Sequence, residues 1–143
     1  NISNRINEIL MHEESLLQSS KIKSFSSDVN DVTKELKEKL IEFSNKGLSV
    51  VGYGAPARLS TITNYGNIDD SLINYIIEDS PLKAGRVSPG QHIPIYSFDY
   101  LYKDPPDIII VFAYEYFESI YKKTNKFDVK YFKAIPPIQL KGN

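Results

Sequence analysis

The chain has 143 residues, with 17 Lys+Arg against 18 Asp+Glu, two His, one Met and no Cys or Trp. That length fits one domain with its own core, and 41 % hydrophobic against 24 % charged residues excludes wholesale disorder. A net charge of −1 argues against a general polyanion binder, and the lack of Cys excludes disulfides, thiolate metal sites and a Cys nucleophile. No apolar run approaches the roughly 18 residues of a spanning helix, and no signal peptide is visible. A cytoplasmic location is expected. The sequence opens on Asn1 in polar helical sequence and is read as a piece of a longer protein.

In chain order, Ile2, Ile6, Ile9, Leu10, Leu16 and Leu17 recur at loose helical spacing and predict a helix to about Gln18. The Ser/Lys-rich stretch from Ser19 to Ser27 is expected to break it. A second helix is expected to begin at an Asp28 N-cap, with Val29, Val32, Leu36, Leu40 and Phe43 as its apolar stripe and Gly47 as its C′ terminator. Residues 1–46 are therefore expected to form a helical extension that packs on or leads into a domain spanning 47–143. From Leu48 the pattern changes. Leu48 to Tyr53 predicts a buried strand entering a Gly-rich turn, and Pro56 suits the first turn of a helix running to about Tyr65. Leu72–Ile77 predicts the next strand, ending in Glu78-Asp79. His92–Ile95 predicts a short edge strand, where Pro is tolerated. A short helix from Ser97 to Lys103, a strand at Asp107–Phe112, a helix at Tyr116–Asn125 and a last strand at Val129–Ile135 complete the series. This alternation predicts an α/β fold: a Rossmann-like parallel sheet with helices on both faces. Leu48–Tyr53 and Ile108–Phe112 belong at its centre, and the two longer crossover helices on opposite faces.

Gly52-Tyr53-Gly54-Ala55-Pro56-Ala57 matches the nucleotide-binding pattern G-x-G-x-x-G/A, between a strand and a helix as that pattern requires. On this reading Gly52 permits a tight turn, Gly54 lets a phosphate reach the backbone, and small Ala57 allows close helix–strand packing. The alternative is a turn that needs its glycines sterically and binds nothing. Asp79, 25 positions after Gly54, stands where such folds place an acid for ribose hydroxyls. Arg58 could fork onto a phosphate or pair with a nearby acid. Lys83 and Arg86 follow in a loop that could close over a ligand. An imidazole is chemically suited to general-base work, but His92 has no partner at a recognisable spacing, so bonding within its own loop is the plainer role. His12 lies on a polar helix face, and two lone His make no metal site. Six of the ten Tyr fall between Tyr96 and Tyr121, which suits half-buried seams or a docking face. Tyr114-Glu115, just after a central strand, is expected to face the crevice at the strands' carboxyl ends.

Gly52-Tyr-Gly-Ala-Pro-Ala57, Asn64-Tyr65, Asp79-Ser-Pro-Leu-Lys-Ala-Gly-Arg86 and Pro89-Gly-Gln-His-Ile-Pro-Ile95 together resemble the C-terminal domain of the sugar C-methyltransferases, over about Asp28 to Pro137. Those enzymes use S-adenosylmethionine to methylate a carbon of a nucleotide-linked keto-deoxysugar. The resemblance implies a parent chain of three parts: a small zinc-binding N-terminal domain, a middle domain that holds S-adenosylmethionine and the catalytic His and Tyr, and this Rossmann-like domain. It implies no catalytic residue, cofactor or metal in the present chain, which by itself would transfer no methyl group. The implied partners are the N-terminal and middle domains and a nucleotide-sugar, with no nucleic acid and no membrane. The ligand-binding set carried over is Gly52, Tyr53, Gly54, Ala55, Ala57, Arg58, Asp79, Arg86 and His92. In one departure, Arg58-Leu59-Ser60 stand where the family commonly has Lys-Gly-Asn, so the charge is kept and bulk replaces a glycine. The rival readings are a freestanding Rossmann-like module binding NAD, CoA or a nucleotide-sugar without catalysis, and an NAD-dependent oxidoreductase domain. The latter is weakened because no Tyr-x-x-x-Lys stands at a useful place.

Overall fold

The computed structural model describes residues 2–5, 19–54 and 57–142. Residues 2–5 are helical, and the rest of the expected first helix, with His12, Ala55 and Pro56, lies outside the described residues. Helix α1 spans Ser19–Asn45 without interruption. The expected break at Ser19–Ser27 and the Asp28 N-cap are thereby corrected: Asp28 is a mid-helix residue. Ser and Lys cost a helix only a few tenths of a kcal/mol each, and the stretch holds neither Gly nor Pro, so nothing in it stops propagation. The other end follows the sequence. Gly47, at φ 73°, donates its N–H to the Ser44 carbonyl at 3.0 Å, and Leu48 donates to the Phe43 carbonyl at 3.0 Å. These are the paired bonds of a Schellman cap.

Strand β1 is Val50–Tyr53, helix α2 is Ala57–Gly66, β2 is Ile76–Ile77 and β3 is Ile95–Tyr96. Helix α3 (Tyr100–Lys103), β4 (Ile108–Val111), a 3-10 turn (Tyr114–Tyr116), α4 (Phe117–Thr124), β5 (Lys130–Lys133) and β6 (Gln139–Lys141) follow. The sheet order is β3-β2-β1-β4-β5-β6, parallel throughout except that β6 runs antiparallel to β5. The fold is the expected α/β, Rossmann-like arrangement, with β1 and β4 paired at its centre. All eight residues of these two strands are buried, which is why both read as unbroken apolar runs.

Three elements depart from expectation. β2 is shorter than Leu72–Ile77, because the Leu72 and Ile73 N–H groups donate to the Asp69 carbonyl at 3.1 Å and turn the chain there. β3 starts at Ile95 rather than His92. His92 has φ 56° and donates its N–H to the Ser88 carbonyl at 3.0 Å, so it belongs to a turn. β6 was not anticipated, since Pro136-Pro137 reads as the end of the sheet.

Alternate strand residues feed two cores. On one face Val50, Ile76, Ile108 and Ile110 meet Leu36, Leu40 and Phe43 of α1 and Leu59 and Ile62 of α2. On the other Val51, Tyr53, Ile77, Ile109 and Val111 meet Leu101 of α3 and Ile120 of α4. Helices α2 and α4 thus lie on opposite faces, as right-handed crossovers require. The second core is aromatic: Tyr96 stacks on Tyr100 at 4.0 Å, and Tyr131 meets Phe117 and Tyr121 at 5.7 and 5.4 Å between ring centres.

Candidate functional site

The chain leaves β1 for α2 on one face and leaves β4 for α4 on the other. The carboxyl ends of these two neighbours therefore splay their connections apart, which is where open α/β sheets form a crevice. Here the crevice is a cleft of about 340 Å³, lined by Tyr53 and Gly54 at the end of β1, Glu78 and Asp79 at the end of β2, and Ala113 after β4. Glu115, Tyr116, Ser119 and Ile120 close its far side, and Lys83 stands on the near one. Three carboxylates in one cleft make it rich in hydrogen-bond acceptors.

The glycines owe their places to packing. Gly52 is not in a turn: it lies within β1, opposite Ile76 and Ile110, and a Cβ there would come within 2.5 Å of Ile76 Cδ1 and 3.0 Å of Phe112 Cε2. The expected tight-turn role of Gly52 is therefore corrected. Gly54 does turn, at φ 88°, and a Cβ on it would stand 2.5 Å from the Ala113 Cβ, so β1 and β4 end in close contact. Ala57 is exposed and lines a groove, so the expected close helix–strand contact at this residue is corrected as well.

Asp79 is held from two sides through one oxygen. Its Oδ1 accepts the Tyr53 hydroxyl at 2.8 Å and the Lys123 ammonium at 2.6 Å. Burial, and then the bond to Asp79, push the Tyr53 phenol well above its ordinary value, so it remains a donor across the accessible range. Lys123 also lies over the Phe98 ring at 5.2 Å and the Tyr53 ring at 5.9 Å. Sequence reading missed Lys123. The available signal was its spacing from Ser119, four residues earlier on the same face of α4.

Arg58 pairs with Glu115 at 2.9 Å and is only 17 % exposed, bridging the start of α2 to the turn after β4. Of the alternatives for Arg58, the structure contains the paired acid. Glu115 faces the crevice as expected, whereas Tyr114 does not: its ring lies under the Lys133 ammonium, 3.9 Å from its centre. Burial, and then the neighbouring Arg58 charge, hold the Lys133 amine below its usual value.

The comparison with known proteins bears on what such a cleft serves. The C-methyltransferase C-terminal domain family matches residues 1–138. The chain belongs to that family. It is also 26 % identical over 105 residues to the C-methyltransferase NovU of Streptomyces niveus, an alignment covering 73 % of this chain and 25 % of that protein. The chain thus spans about a quarter of the length of this curated relative.

In this C-methyltransferase C-terminal domain, Tyr53, Gly54 and Asp79 come together in the crevice, and Arg58 reaches it through Glu115. Arg86 does not line that cleft; it stands with Ala57 on a neighbouring one. His92 is exposed in the turn before β3, next to Gly90, whose added Cβ would meet the Asn64 side chain near the end of α2. That is the amino-terminal edge of the sheet, so His92 is not brought to the carboxyl-end crevice. Among the described residues no group of three or more His, Cys, Asp or Glu could hold a metal ion, and no helix is long and apolar enough to cross a membrane.

Proposed function

We propose that this domain is the substrate-side part of an S-adenosylmethionine-dependent methyltransferase acting on a nucleotide-linked sugar. Membership of the C-methyltransferase C-terminal domain family supports the reaction class. The observation that carries the substrate reading is the acceptor-rich cleft at the junction of β1 and β4. A sugar presents several hydroxyl donors, and Glu78, Asp79 and Glu115 offer carboxylate acceptors around one space of suitable size. Tyr53 and Lys123 fix Asp79 by Oδ1, which leaves Oδ2 as the acceptor for a ligand hydroxyl.

S-adenosylmethionine would supply the methyl group from another part of the parent chain. The residues here do not fit its adenosyl end: a ribose diol needs both oxygens of the acid after β2, and one already takes two protein donors. The domain's own work is to bind and orient, and the N-terminal and middle parts of the parent chain are its partners. The chain alone would transfer no methyl group.

Calorimetry with a dTDP- or UDP-linked hexose tests the reading. Asp79→Asn should weaken binding by about 1.5–3 kcal/mol, the range for a hydrogen bond to a charged group, with the fold preserved because the site is half exposed. Equal affinity for wild type and variant would remove the sugar from this cleft.

A further inference from the structure

Outside the acidic cleft, three aromatic rings converge: Phe98, Tyr102 and Phe127, none of which lines it. Phe98 and Tyr102 lie one helical turn apart. The Leu101 N–H donates to the Phe98 carbonyl at 3.0 Å, and the Tyr102 N–H to the Asp99 carbonyl at 3.1 Å. Between them Leu101 is fully buried and anchors the turn. Phe127 comes from the turn after α4, where its N–H donates to the Thr124 carbonyl at 2.9 Å. Phe98 and Phe127 also pack against the second core, so two of the three walls are formed in advance of any ligand.

The three ring planes are steeply inclined to one another. Phe98 and Tyr102 meet at 77°, Tyr102 and Phe127 at 60°, and Phe98 and Phe127 at 64°, with centres 6.0, 5.2 and 6.4 Å apart. Rings so inclined do not stack; they wall in a common space. That space holds the Lys126 ammonium, 5.3 Å from the Phe98 centre, 5.0 Å from Tyr102 and 5.9 Å from Phe127. Among the described residues no carboxylate lies within ion-pair distance of Lys126, so the rings are what hold it.

A primary ammonium fits such a space poorly. Its three N–H groups seek acceptors that ring faces supply only weakly, and water competes for them. A methylated onium ion has no N–H to satisfy and turns methyl groups to the rings, so it gives up less hydration and gains more contact. Lys126 and Tyr102 are exposed, so the lysine can swing out to water at the cost of a surface cation–π contact.

We infer that Phe98, Tyr102 and Phe127 form a binding site for a methylated onium group, a quaternary ammonium or a sulfonium, with Lys126 as the resident cation that it displaces. The inference stands on the three rings and their lysine and does not require a sugar in the acidic cleft.

Tetramethylammonium and trimethylsulfonium are the probes, with tert-butanol as the uncharged counterpart and ammonium as the unmethylated one. All are compared at one ionic strength by NMR titration of the chain. The methylated ions should give saturable shifts at Phe98, Tyr102 and Phe127, and bind about tenfold more tightly than tert-butanol or ammonium. The tighter of the two names the onium class. Lys126→Ala should tighten binding about two- to fivefold by removing the competing cation, and Tyr102→Ala should weaken it by a similar factor. Tyr102→Phe keeps the ring and should bind as the wild type does. Both positions are exposed, so these variants keep the fold. Shifts confined to Glu78, Asp79 and Glu115, no saturable shift, ammonium binding as tightly as tetramethylammonium, or an unaffected Lys126→Ala would each overturn the inference. The Asp79→Asn calorimetry reads the cleft, so the two readings fail separately.

Discussion

At Gly54 two constraints coincide. Its φ of 88° is a conformation that side chains resist, and the space a Cβ would take is already filled by Ala113. Gly54→Ala should lower stability by about 1–3 kcal/mol from the backbone conformation, with the contact adding to it. Urea denaturation would register this as a lower midpoint at unchanged slope. An unchanged midpoint would show that β1 and β4 can separate at their ends. A loss of ligand binding in any Gly54 variant is consequently ambiguous until stability is measured. The Asp79–Lys123 pair has no such ambiguity, because both of its side chains are about half exposed.

Among the elements, α1 shows how local propensity and packing divide the work. Its later half contributes Leu36 and Leu40, both fully buried, and Phe43, whose ring meets Phe132 of β5 at 5.0 Å. It therefore closes one face of the sheet together with α2. Leu40→Ala should cost about 2–5 kcal/mol, from lost transfer energy and the cavity left behind. Ile41→Ala, one position on and 40 % exposed, should cost much less. Similar urea midpoints for the two variants would mean that α1 contributes little to the core. α4 is attached differently. Besides burying Ile120, it reaches the end of β2 through Lys123 and Asp79, a half-exposed pair worth at most about 1 kcal/mol by itself. That link sets the shape of the cleft more than the stability of the fold.

For the molecule as a whole, the buried phenols set the response to alkali. Burial comes first in raising Tyr53, Tyr75 and Tyr131, with the Asp79 and Asp104 carboxylates adding to the first two and a Thr124 hydrogen bond opposing at the third. The folded state then holds protons that the unfolded chain releases near pH 10, so the stability these groups contribute is complete below about pH 10 and lost as pH rises further. Lys133 works in the opposite sense: burial lowers it, so stability rises as pH climbs from its folded value toward its usual one. Three phenols outweigh one amine above that point. The urea midpoint at about pH 11 should therefore fall below that at about pH 9, and Tyr53→Phe should shrink the drop. A midpoint that held steady or rose would contradict these environments.

The apolar runs at Val50–Val51 and Ile108–Val111, the alternation of strand and helix and the Gly47 stop were all legible in the sequence. They are local: period, propensity and capping act within a few residues of one another. The same locality misled at Asp28, where a good capping residue stands inside a helix that simply continues. What only the tertiary structure decided is which distant residues meet. Asp79 finds Tyr53 and Lys123 across 26 and 44 residues, and Arg58 finds Glu115 across 57. These meetings depend on β1 lying between β2 and β4, and that order follows from how crossovers pack back on a twisted sheet. The glycines show the same division. Their spacing was plain, but whether they admit a ligand or a neighbouring strand depends on what stands opposite, and at Gly52 and Gly54 that is Ile76, Phe112 and Ala113.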